Sequence, residues 1–174
     1  MTEEMFDVVD QEDKVLFQSP RSVVHANHWL HRAVHIFVFN SRGELLIHRR
    51  SATKDEAPLK YTSSASGHLS AGEDYATAAV RELEEELGLK TTVEFLCIFP
   101  ANGRETSFEH SGLYRATTDE TPVFDPGEIL SGEFHPLPEI AEMIAHDPDD
   151  FTHCFRSLFR WYTERFAAGS RQPF

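Results

Sequence analysis

The stretch GHLSAGEDYATAAVRELEEELGL, residues 67–89, joins a glycine-containing turn to one amphipathic helix and decides the fold of the surrounding chain. Its apolar residues recur at the spacing of a helix that buries one face, and they are Ala76, Ala79, Val80, Leu83 and Leu87. Asp74 precedes this run and can cap the helix, while Gly88 follows it and can adopt the left-handed conformation that ends many helices. The stretch therefore predicts a turn and a helix whose apolar face packs against the rest of the protein.

Three glutamates crowd into one turn of the predicted helix. At about 100° per residue, Glu82, Glu85 and Glu86 share one arc, near the helix end where the dipole disfavours anions. Mg²⁺ or Mn²⁺ would relieve this repulsion, since both take oxygen ligands and suit phosphate substrates. A solvated acidic surface is the alternative interpretation of the glutamates alone. The turn favours the metal site, because Gly67 and Gly72 let backbone groups approach a ligand closely.

The spacing of the turn and the helix resembles the Nudix box, the signature of the Nudix hydrolases. Gly67 is followed after five residues by Glu73, and seven further residues lead to RELEEELGL at 81–89. This resemblance implies an α/β protein with the Nudix α/β/α sandwich and a mixed sheet. It also implies a hydrolase that uses Mg²⁺ or Mn²⁺ to cleave a small-molecule substrate, a nucleoside diphosphate linked to another group. Homodimers are common in this family, which makes a homodimer a candidate assembly.

The same resemblance implies roles for individual residues. The metal ligands would be the three glutamates of the box and a backbone carbonyl, that is Glu82, Glu85, Glu86 and Gly67. Glu73 and Arg81 would orient the helix. The general base would be a glutamate of the box or of a later loop, which leaves Glu85 and Glu128 as candidates, and a solvated loop charge is the alternative for Glu128. The residues expected to carry catalysis are Glu82, Glu85, Arg81 and Glu128.

A basic cluster lies just ahead of the glycine turn. Arg49 and Arg50 end a predicted strand, and Lys54 follows closely. The position of the cluster favours Arg50 and Lys54 as groups that hold the phosphate oxygens of a substrate. A surface patch of ion pairs is the alternative.

The region from residue 6 to residue 72 also resembles the isopentenyl diphosphate isomerase branch of the same superfamily, in FDVVD, HRAVHIFVFNSRGELLIHRRSATK and TSSASGH. This resemblance implies a second set of metal ligands at His25, His31, His68 and Glu109. It implies diphosphate-binding residues at Arg21, Arg50 and Lys54. The isomerases carry a cysteine just before the Gly-His pair, whereas this chain carries Ser66. Because the isomerases use that thiol in acid–base chemistry, Ser66 favours the hydrolase. An isomerase and a non-catalytic nucleotide-binding module are the alternatives to the hydrolase, and hydrogen-bonded histidines are the alternative to a second metal site.

Composition limits the partners of the chain. With 29 acidic and 16 basic residues the net charge is −13, which argues against non-specific binding to nucleic acid or to anionic membranes. The two cysteines, Cys97 and Cys154, lack the spacing of a metal site. The acidic N-terminus does not resemble a signal peptide, and no apolar run is long enough to span a bilayer. The predicted location is the cytoplasm.

The length of 174 residues fits a single Nudix domain over 1–174. Its predicted parts are an N-terminal hairpin and short helix within 1–30, reaching Trp29, the box at 67–89, and a C-terminal helix at 151–168. The other predicted elements are strands at 31–40, 44–49, 61–67, 92–99, 105–117 and 129–137, and a helix at 138–146.

Overall fold

The computed structural model describes residues 3–102 and 108–167, and it places a mixed sheet between helices. Within these residues the strands are β1 (Met5–Val9), β2 (Val15–Pro20), β3 (His31–Phe39), β4 (Leu45–Arg50), β5 (Tyr61–Thr62), β6 (Ala65–His68), β7 (Glu94–Phe99), β8 (Glu109–Thr117) and β9 (Ile129–His135). The helices are α1 (Arg21–Ala26), α2 (Tyr75–Leu87), α3 (Leu137–His146) and α4 (His153–Tyr162). A 3₁₀ turn (Pro148–Asp150) precedes α4, and a π-helical turn (Thr163–Ala167) follows it.

The strand β3 lies at the centre of the mixed sheet. It pairs in parallel with β8 and antiparallel with β4 and β6. The strands β5 and β9 pair with β4, and β7 pairs with β8, all antiparallel. The hairpin of β1 and β2 forms a separate two-stranded sheet. Because β3 is covered on both faces, its second half is apolar on both faces, as expected of a central strand.

Two hydrophobic cores lie on opposite faces of the sheet. On one face α2 inserts Leu83 and Leu87 against Val34 and Ile36 of β3. On the other face the residues from α3, α4 and the sheet are Ile140, Phe155, Leu158, Phe159 and Phe37. This arrangement confirms the predicted α/β/α sandwich with a mixed sheet.

The helix α2 begins and ends where the sequence predicts. The Asp74 carboxylate accepts a hydrogen bond of 2.8 Å from the backbone N–H of Thr77. Gly88 has a φ of 63° and donates its backbone N–H to the carbonyl of Glu84. Both ends of the helix are therefore satisfied by local interactions.

The buried face of α2 differs from the predicted face. Ala78 is buried, whereas Ala76 and Val80 are exposed, Val80 to 47%. The difference arises because Glu82 and Glu86 are also buried, so the face that packs on the sheet covers two polar positions. A prediction that uses only the apolar residues treats Glu82 and Glu86 as solvent-exposed. It therefore places the centre of the buried face of α2 incorrectly.

Other differences concern the bounds of elements. The predicted strand at 61–67 is two strands, separated by Ser63 and Ser64, which are buried and bonded to β3 through their side chains. The helix α1 ends at Ala26 instead of Trp29. His28 has a φ of 53°, which lies in the left-handed region and is incompatible with a right-handed α-helix. Positions 105–107 of one predicted strand and position 168 of the predicted C-terminal helix lie outside the described residues. Among the helices of 3–102 and 108–167, none combines the length and the apolar character needed to cross a bilayer.

Candidate functional site

Gly67 lies at the end of β6, where the backbone meets a carboxylate of α2. A Cβ atom at this position would lie 2.1 Å from Oε1 of Glu82, which is far inside van der Waals contact. Only glycine therefore allows the Glu82 carboxylate to lie against this strand. Gly72 meets a different need, because its φ of +78° places it in the left-handed region.

The Arg81 guanidinium ties the glycine turn to α2. Its Nε and Nη2 atoms donate hydrogen bonds of 2.8 Å to the two carboxylate oxygens of Glu73. Its Nη1 atom donates to Glu82 at 2.7 Å and to Glu85 at 3.0 Å, and Nη2 also donates to the carbonyl of His68 at 3.0 Å. The hydrogen bonds to Glu73 are the main cause of the raised pKa of Arg81. One cation is thus shared among three carboxylates, which leaves a surplus of negative charge.

The carboxylate of Glu86 is the most deeply buried of the box. The residue is 4% exposed, and one of its oxygens accepts a hydrogen bond of 3.1 Å from the backbone N–H of Ser66. Burial raises the pKa of Glu86 well above its usual range, and the neighbouring Glu82 charge raises it further. Burial also raises the pKa of Glu82. Buried carboxylates with too little positive charge around them are the oxygen ligands that a hard divalent cation prefers.

A cavity of about 810 Å³ lies beside these carboxylates. It brings together the predicted metal-binding, catalytic and phosphate-binding residues, which are Gly67, Arg81, Glu82, Glu85, Glu86, Arg21, Arg50, Lys54 and Glu128. Lys54 forms an ion pair with Glu128. The Nε atom of Arg50 donates to the carbonyl of Glu56 at 3.1 Å, which leaves the other nitrogens of its guanidinium for further contacts. Cationic side chains and the carboxylates of α2 thus line the same cavity.

The basic cluster predicted from Arg49, Arg50 and Lys54 is divided by the sheet. Neighbouring residues of a strand point to opposite faces, so Arg50 lines the cavity while Arg49 faces the side that carries α4. There Arg49 pairs with Asp150 at 2.7 Å and lies over the ring of Tyr61. Arg49 is therefore a structural residue, whereas Arg50 faces the cavity.

Three histidines from separate elements converge next to Gly67. Each of His25, His31 and His68 offers a ring nitrogen, and these atoms lie within 4.8 Å of one another. An oxygen of Glu109 lies 2.9 Å from Nε2 of His68 and 3.6 Å from Nε2 of His31. Although burial opposes a charge on Glu109, its interactions with the neighbouring His31 and His68 outweigh this effect and hold the pKa of Glu109 well below the usual range. The four residues that the isomerase resemblance selects are thus neighbours in space.

The surroundings of these histidines favour ligation of a cation. Nδ1 of His31 donates to the carbonyl of Trp29 at 2.9 Å, which leaves the lone pair of Nε2 directed at the cluster. The buried Nε2 atoms of His25 and His31 have no hydrogen-bond partner among the described residues. Burial lowers the pKa of His25. Buried ring nitrogens without hydrogen-bond partners fit a metal ion better than they fit a network of hydrogen bonds.

Two features of the site were not predicted from the sequence. Phe6, fully buried, stacks on His31 with ring centroids 5.5 Å apart and lies 4.9 Å from the ring of His68. Cys154 and His35 line the cavity, with Sγ 3.3 Å from Nε2. No local sequence pattern predicts either feature, because each contact joins residues that are far apart in the chain.

Comparison with known proteins agrees with this geometry. A family model described as the NUDIX domain matches residues 29–155. Isopentenyl-diphosphate Delta-isomerase 2 of Photorhabdus laumondii subsp. laumondii is 31% identical over 162 residues, which cover 90% of each chain. An uncharacterized Nudix hydrolase of Yersinia pestis is 41% identical over 86 residues, which cover 49% of this chain and 47% of the relative.

Solved structures show the same fold. The crystal structure of DR0079 from Deinococcus radiodurans has a TM-score of 0.83 and 30% identity, and the match covers 91% of this chain and 98% of that protein. The NUDIX domain of Shewanella oneidensis NrtR, complexed with ADP ribose, has a TM-score of 0.63 and 15% identity, over 84% of this chain and 99% of that domain. At that identity the second likeness concerns the fold alone. Because the family model spans well over half of the sequence, this chain belongs to the Nudix family.

Proposed function

We propose that the protein is a divalent-metal-dependent hydrolase that cleaves a diphosphate linkage in a nucleoside di- or triphosphate or in a nucleoside diphosphate derivative. The observation that carries this proposal is the pair of buried carboxylates, Glu82 and Glu86, which share a cavity with Arg50 and Lys54. Carboxylates and cations that line one cavity match a metal-bound diphosphate.

Glu82, Glu85, Glu86 and the Gly67 carbonyl would hold Mg²⁺ or Mn²⁺. When bound, the cation supplies Lewis acidity toward the phosphate oxygens and lowers the pKa of water. The protein residues position this chemistry: Arg81 fixes Glu82 and Glu85 through its hydrogen bonds, and the Ser66 N–H fixes Glu86. Burial together with these hydrogen bonds restricts how the carboxylates of Glu82 and Glu86 can move.

The remaining proposed residues of the cavity would bind the phosphate groups of the substrate and activate the attacking water. Arg50, Lys54 and Arg21 would hold phosphate oxygens. The planar guanidinium groups of Arg50 and Arg21 can each donate two parallel hydrogen bonds to a phosphate. Glu85 and Glu128 are the two candidates for the group that accepts a proton from water. Both line the cavity, where Glu85 pairs with Arg81 and Glu128 pairs with Lys54, and a carboxylate has further lone pairs beyond one such contact.

The direct test is a panel of nucleoside di- and triphosphates and sugar nucleotides, with ADP-ribose included because a Nudix structure of the same fold holds it. With Mg²⁺ or Mn²⁺ we expect release of phosphate, pyrophosphate or nucleoside monophosphate from one class of substrate. Glu85→Gln is expected to reduce kcat by about 100-fold or more. Glu128→Gln is measured alongside, and metal binding is followed in both variants because Glu85 is also a proposed metal ligand. The variant that loses kcat while it keeps its bound metal identifies the base. Equal turnover by wild type and Glu85→Gln on every substrate would contradict the mechanism, and tight nucleotide binding without turnover would indicate a binding module.

We also propose that His25, His31, His68 and Glu109 hold a second metal ion. Equilibrium dialysis with Mn²⁺ is expected to find two bound ions per chain in the wild type. His31→Gln is expected to weaken one of them by at least about 100-fold, because ligand loss should exceed the 10- to 100-fold effect of losing a supporting group.

His146→Gln is the matched control for this test, since His146 is exposed at the end of α3 and outside the cluster. It should leave both ions bound. A single ion in the wild type, or two ions retained by His31→Gln, would show that the histidines form no metal site.

A second candidate function is isomerisation of an isopentenyl-type diphosphate, favoured by the isomerase relatives that match 90% of the chain. Ser66 opposes it, because a serine hydroxyl is a far weaker acid than the thiol that the isomerases carry at this position. Incubation with isopentenyl diphosphate separates the two functions: turnover that is lost in Glu109→Gln and kept in Glu85→Gln would favour the isomerase.

A further inference from the structure

The carboxylate of Asp7, in β1, binds the backbone of the glycine turn. Asp7 is buried, and its Oδ2 atom accepts a hydrogen bond of 2.9 Å from the backbone N–H of Gly72. Its Oδ1 atom accepts a hydrogen bond of 3.0 Å from Nε2 of Gln18, the residue opposite it in β2. Nη1 of Arg32 lies 3.9 Å from Oδ2. Asp7 thus contacts the turn that leads into α2, although it does not line the cavity of the described residues.

Gly72 immediately precedes the glutamate that holds Arg81. The Glu73 carboxylate accepts hydrogen bonds of 2.8 Å from Nε and Nη2 of Arg81 and one of 2.9 Å from the backbone N–H of Ser70. Nη1 of Arg81 then donates to two of the proposed metal ligands of α2. A chain of contacts therefore runs from Asp7 through the glycine turn to the acidic face of α2.

The strand β1 is held on both sides of this contact. The backbone N–H of Ala71 donates a hydrogen bond of 2.7 Å to the carbonyl of Met5. Neighbouring residues of a strand point to opposite sides, and Phe6, which is fully buried, stacks on His31. The strand is thus fixed between the glycine turn and the histidine cluster, so it presents the Asp7 carboxylate from a well-packed support.

The Gly72 N–H needs a fixed acceptor because the residue has no side chain with which to hold the turn. Its φ of +78° lies in the left-handed region, where glycine is favoured but other conformations are also open to it. A hydrogen bond to a charged carboxylate is stronger than one to a neutral acceptor. Without this acceptor the N–H is left unsatisfied. We therefore expect the turn to open more often and to release Glu73 from its position.

We propose that Asp7 is a positioning residue of the site: it fixes the glycine turn and, through Glu73 and Arg81, the carboxylates of α2 that would bind the metal. The expected change in kcat rests on the proposed hydrolase function, whereas the hold on the turn does not. Groups that orient metal ligands without touching the metal typically change metal affinity or activity by about 10- to 100-fold. Because Asp7 acts through two other side chains, its effect should lie near the lower end of this range.

Backbone amide hydrogen exchange in Asp7→Ala tests the hold on the turn. Exchange at Gly72 should quicken because its acceptor is lost, and exchange at Ser70 should quicken because its acceptor, Glu73, is released. Amides of the central strand β3 report opening of the whole protein. We expect the increase at Gly72 and Ser70 to exceed that in β3 by at least about tenfold. Equal increases in the turn and in β3 would show that Asp7 contributes only to general stability.

Gln18→Ala is the matched control, because it removes the other hydrogen bond of the same carboxylate and leaves the contact with Gly72. Exchange in the turn should then stay within about twofold of the wild type. Asp7→Asn should restore most of the protection, since its oxygen can accept from Gly72 while its NH₂ group donates to a reoriented Gln18 amide. If Asp7→Ala does not fold, Asp7→Leu removes the acceptor at a similar volume. A Gln18→Ala turn that exchanges as fast as that of Asp7→Ala would overturn the proposal.

Steady-state kinetics at saturating Mg²⁺, with a substrate that the panel identifies, test the consequence for catalysis. Asp7→Ala should lower kcat by about tenfold, and Asp7→Asn should return it to within about threefold of the wild type. KM should change by less than about twofold, since Asp7 does not line the cavity. An unchanged kcat, or a loss confined to KM, would contradict the positioning role. If the wild type hydrolyses no substrate, the hydrolase function is wrong, and the exchange rates still decide whether Asp7 holds the turn.

Discussion

Glu86→Gln is expected to reduce hydrolase activity by roughly 100- to 1,000-fold while making the metal-free protein more stable. The two effects have one cause. The Glu86 carboxylate is buried close to the Glu82 carboxylate, where a bound cation would neutralise it and where nothing fully does so in its absence. Glutamine keeps the shape and can still accept the hydrogen bond from Ser66, but it carries no charge. Loss of a ligand abolishes the chemistry, whereas loss of an unneutralised charge removes a cost of folding.

The stability effect of Glu86→Gln has a pH dependence of known sign. The pKa of Glu86 is raised in the folded state, so the folded protein holds this proton at pH values where the unfolded chain has released it. The associated stability is complete below the unfolded pKa of about 4.3 and is lost as pH rises through the folded pKa. Glu86→Gln has no ionisable group at this position, so its stability does not fall in this way as pH rises. The difference in free energy of unfolding, variant minus wild type, should therefore increase with pH above about 4.3 and then level off.

Urea unfolding across pH, with and without Mg²⁺, measures both effects. Glu84→Gln is the control, because Glu84 lies on the same helix, is exposed, and pairs only with Lys90 at 2.7 Å among the described residues. It should change activity and stability little. Mg²⁺ should stabilise wild type and Glu84→Gln by mass action and stabilise Glu86→Gln much less. Full activity in Glu86→Gln, or a metal-free variant less stable than wild type at pH 8, would contradict the metal site.

Arg81→Gln is expected to lower the free energy of unfolding by about 2–3 kcal/mol. Arg81 donates hydrogen bonds to Glu73, Glu82 and Glu85 and to the carbonyl of His68. Its removal leaves two largely buried carboxylates, those of Glu73 and Glu82, without their main cationic partner. This loss in the free energy of unfolding is smaller than the loss expected for a fully buried ion pair, because the Arg81 side chain is partly exposed.

Denaturant unfolding of Arg81→Gln, Arg81→Lys and Arg42→Gln separates specific from general charge effects. Arg42 pairs with Glu44 at 2.6 Å, but its side chain is 73% exposed, so its loss should cost no more than about 0.5 kcal/mol. Lysine keeps the positive charge but lacks the planar guanidinium. The free energy of unfolding of Arg81→Lys should therefore lie between those of the wild type and Arg81→Gln. Saturating Mg²⁺ should restore part of the stability lost in Arg81→Gln. Equal effects at Arg42 and Arg81 would show that the Arg81 contacts contribute nothing beyond charge.

The position of the site, but not its detailed composition, follows from local sequence. The glutamates proposed as metal ligands could be named from the sequence because their spacing on one helix and the glycine turn are local features. Arg50 and Lys54 were predicted to hold phosphate oxygens, and both line the cavity. That the neighbouring Arg49 lies on the opposite face of the sheet is a consequence of strand geometry and not of its chemistry. The three histidines were named through the isomerase resemblance, and the contact of Phe6 with them was not predicted at all.

Residues 67–89 by themselves determined a turn, a capped helix and a dense acidic face, because capping, left-handed glycine and helical periodicity depend on neighbours within a few residues. The tertiary structure decided which face of that helix is buried, since the sheet covers Glu82 and Glu86 and leaves Val80 exposed. It also decided which distant groups share the cavity, because the pairing of β3 with β6 sets His35 opposite Ser66 and the packing of α4 brings Cys154 to His35. Such contacts depend on strand register and on the packing of whole layers, which no window of local sequence contains.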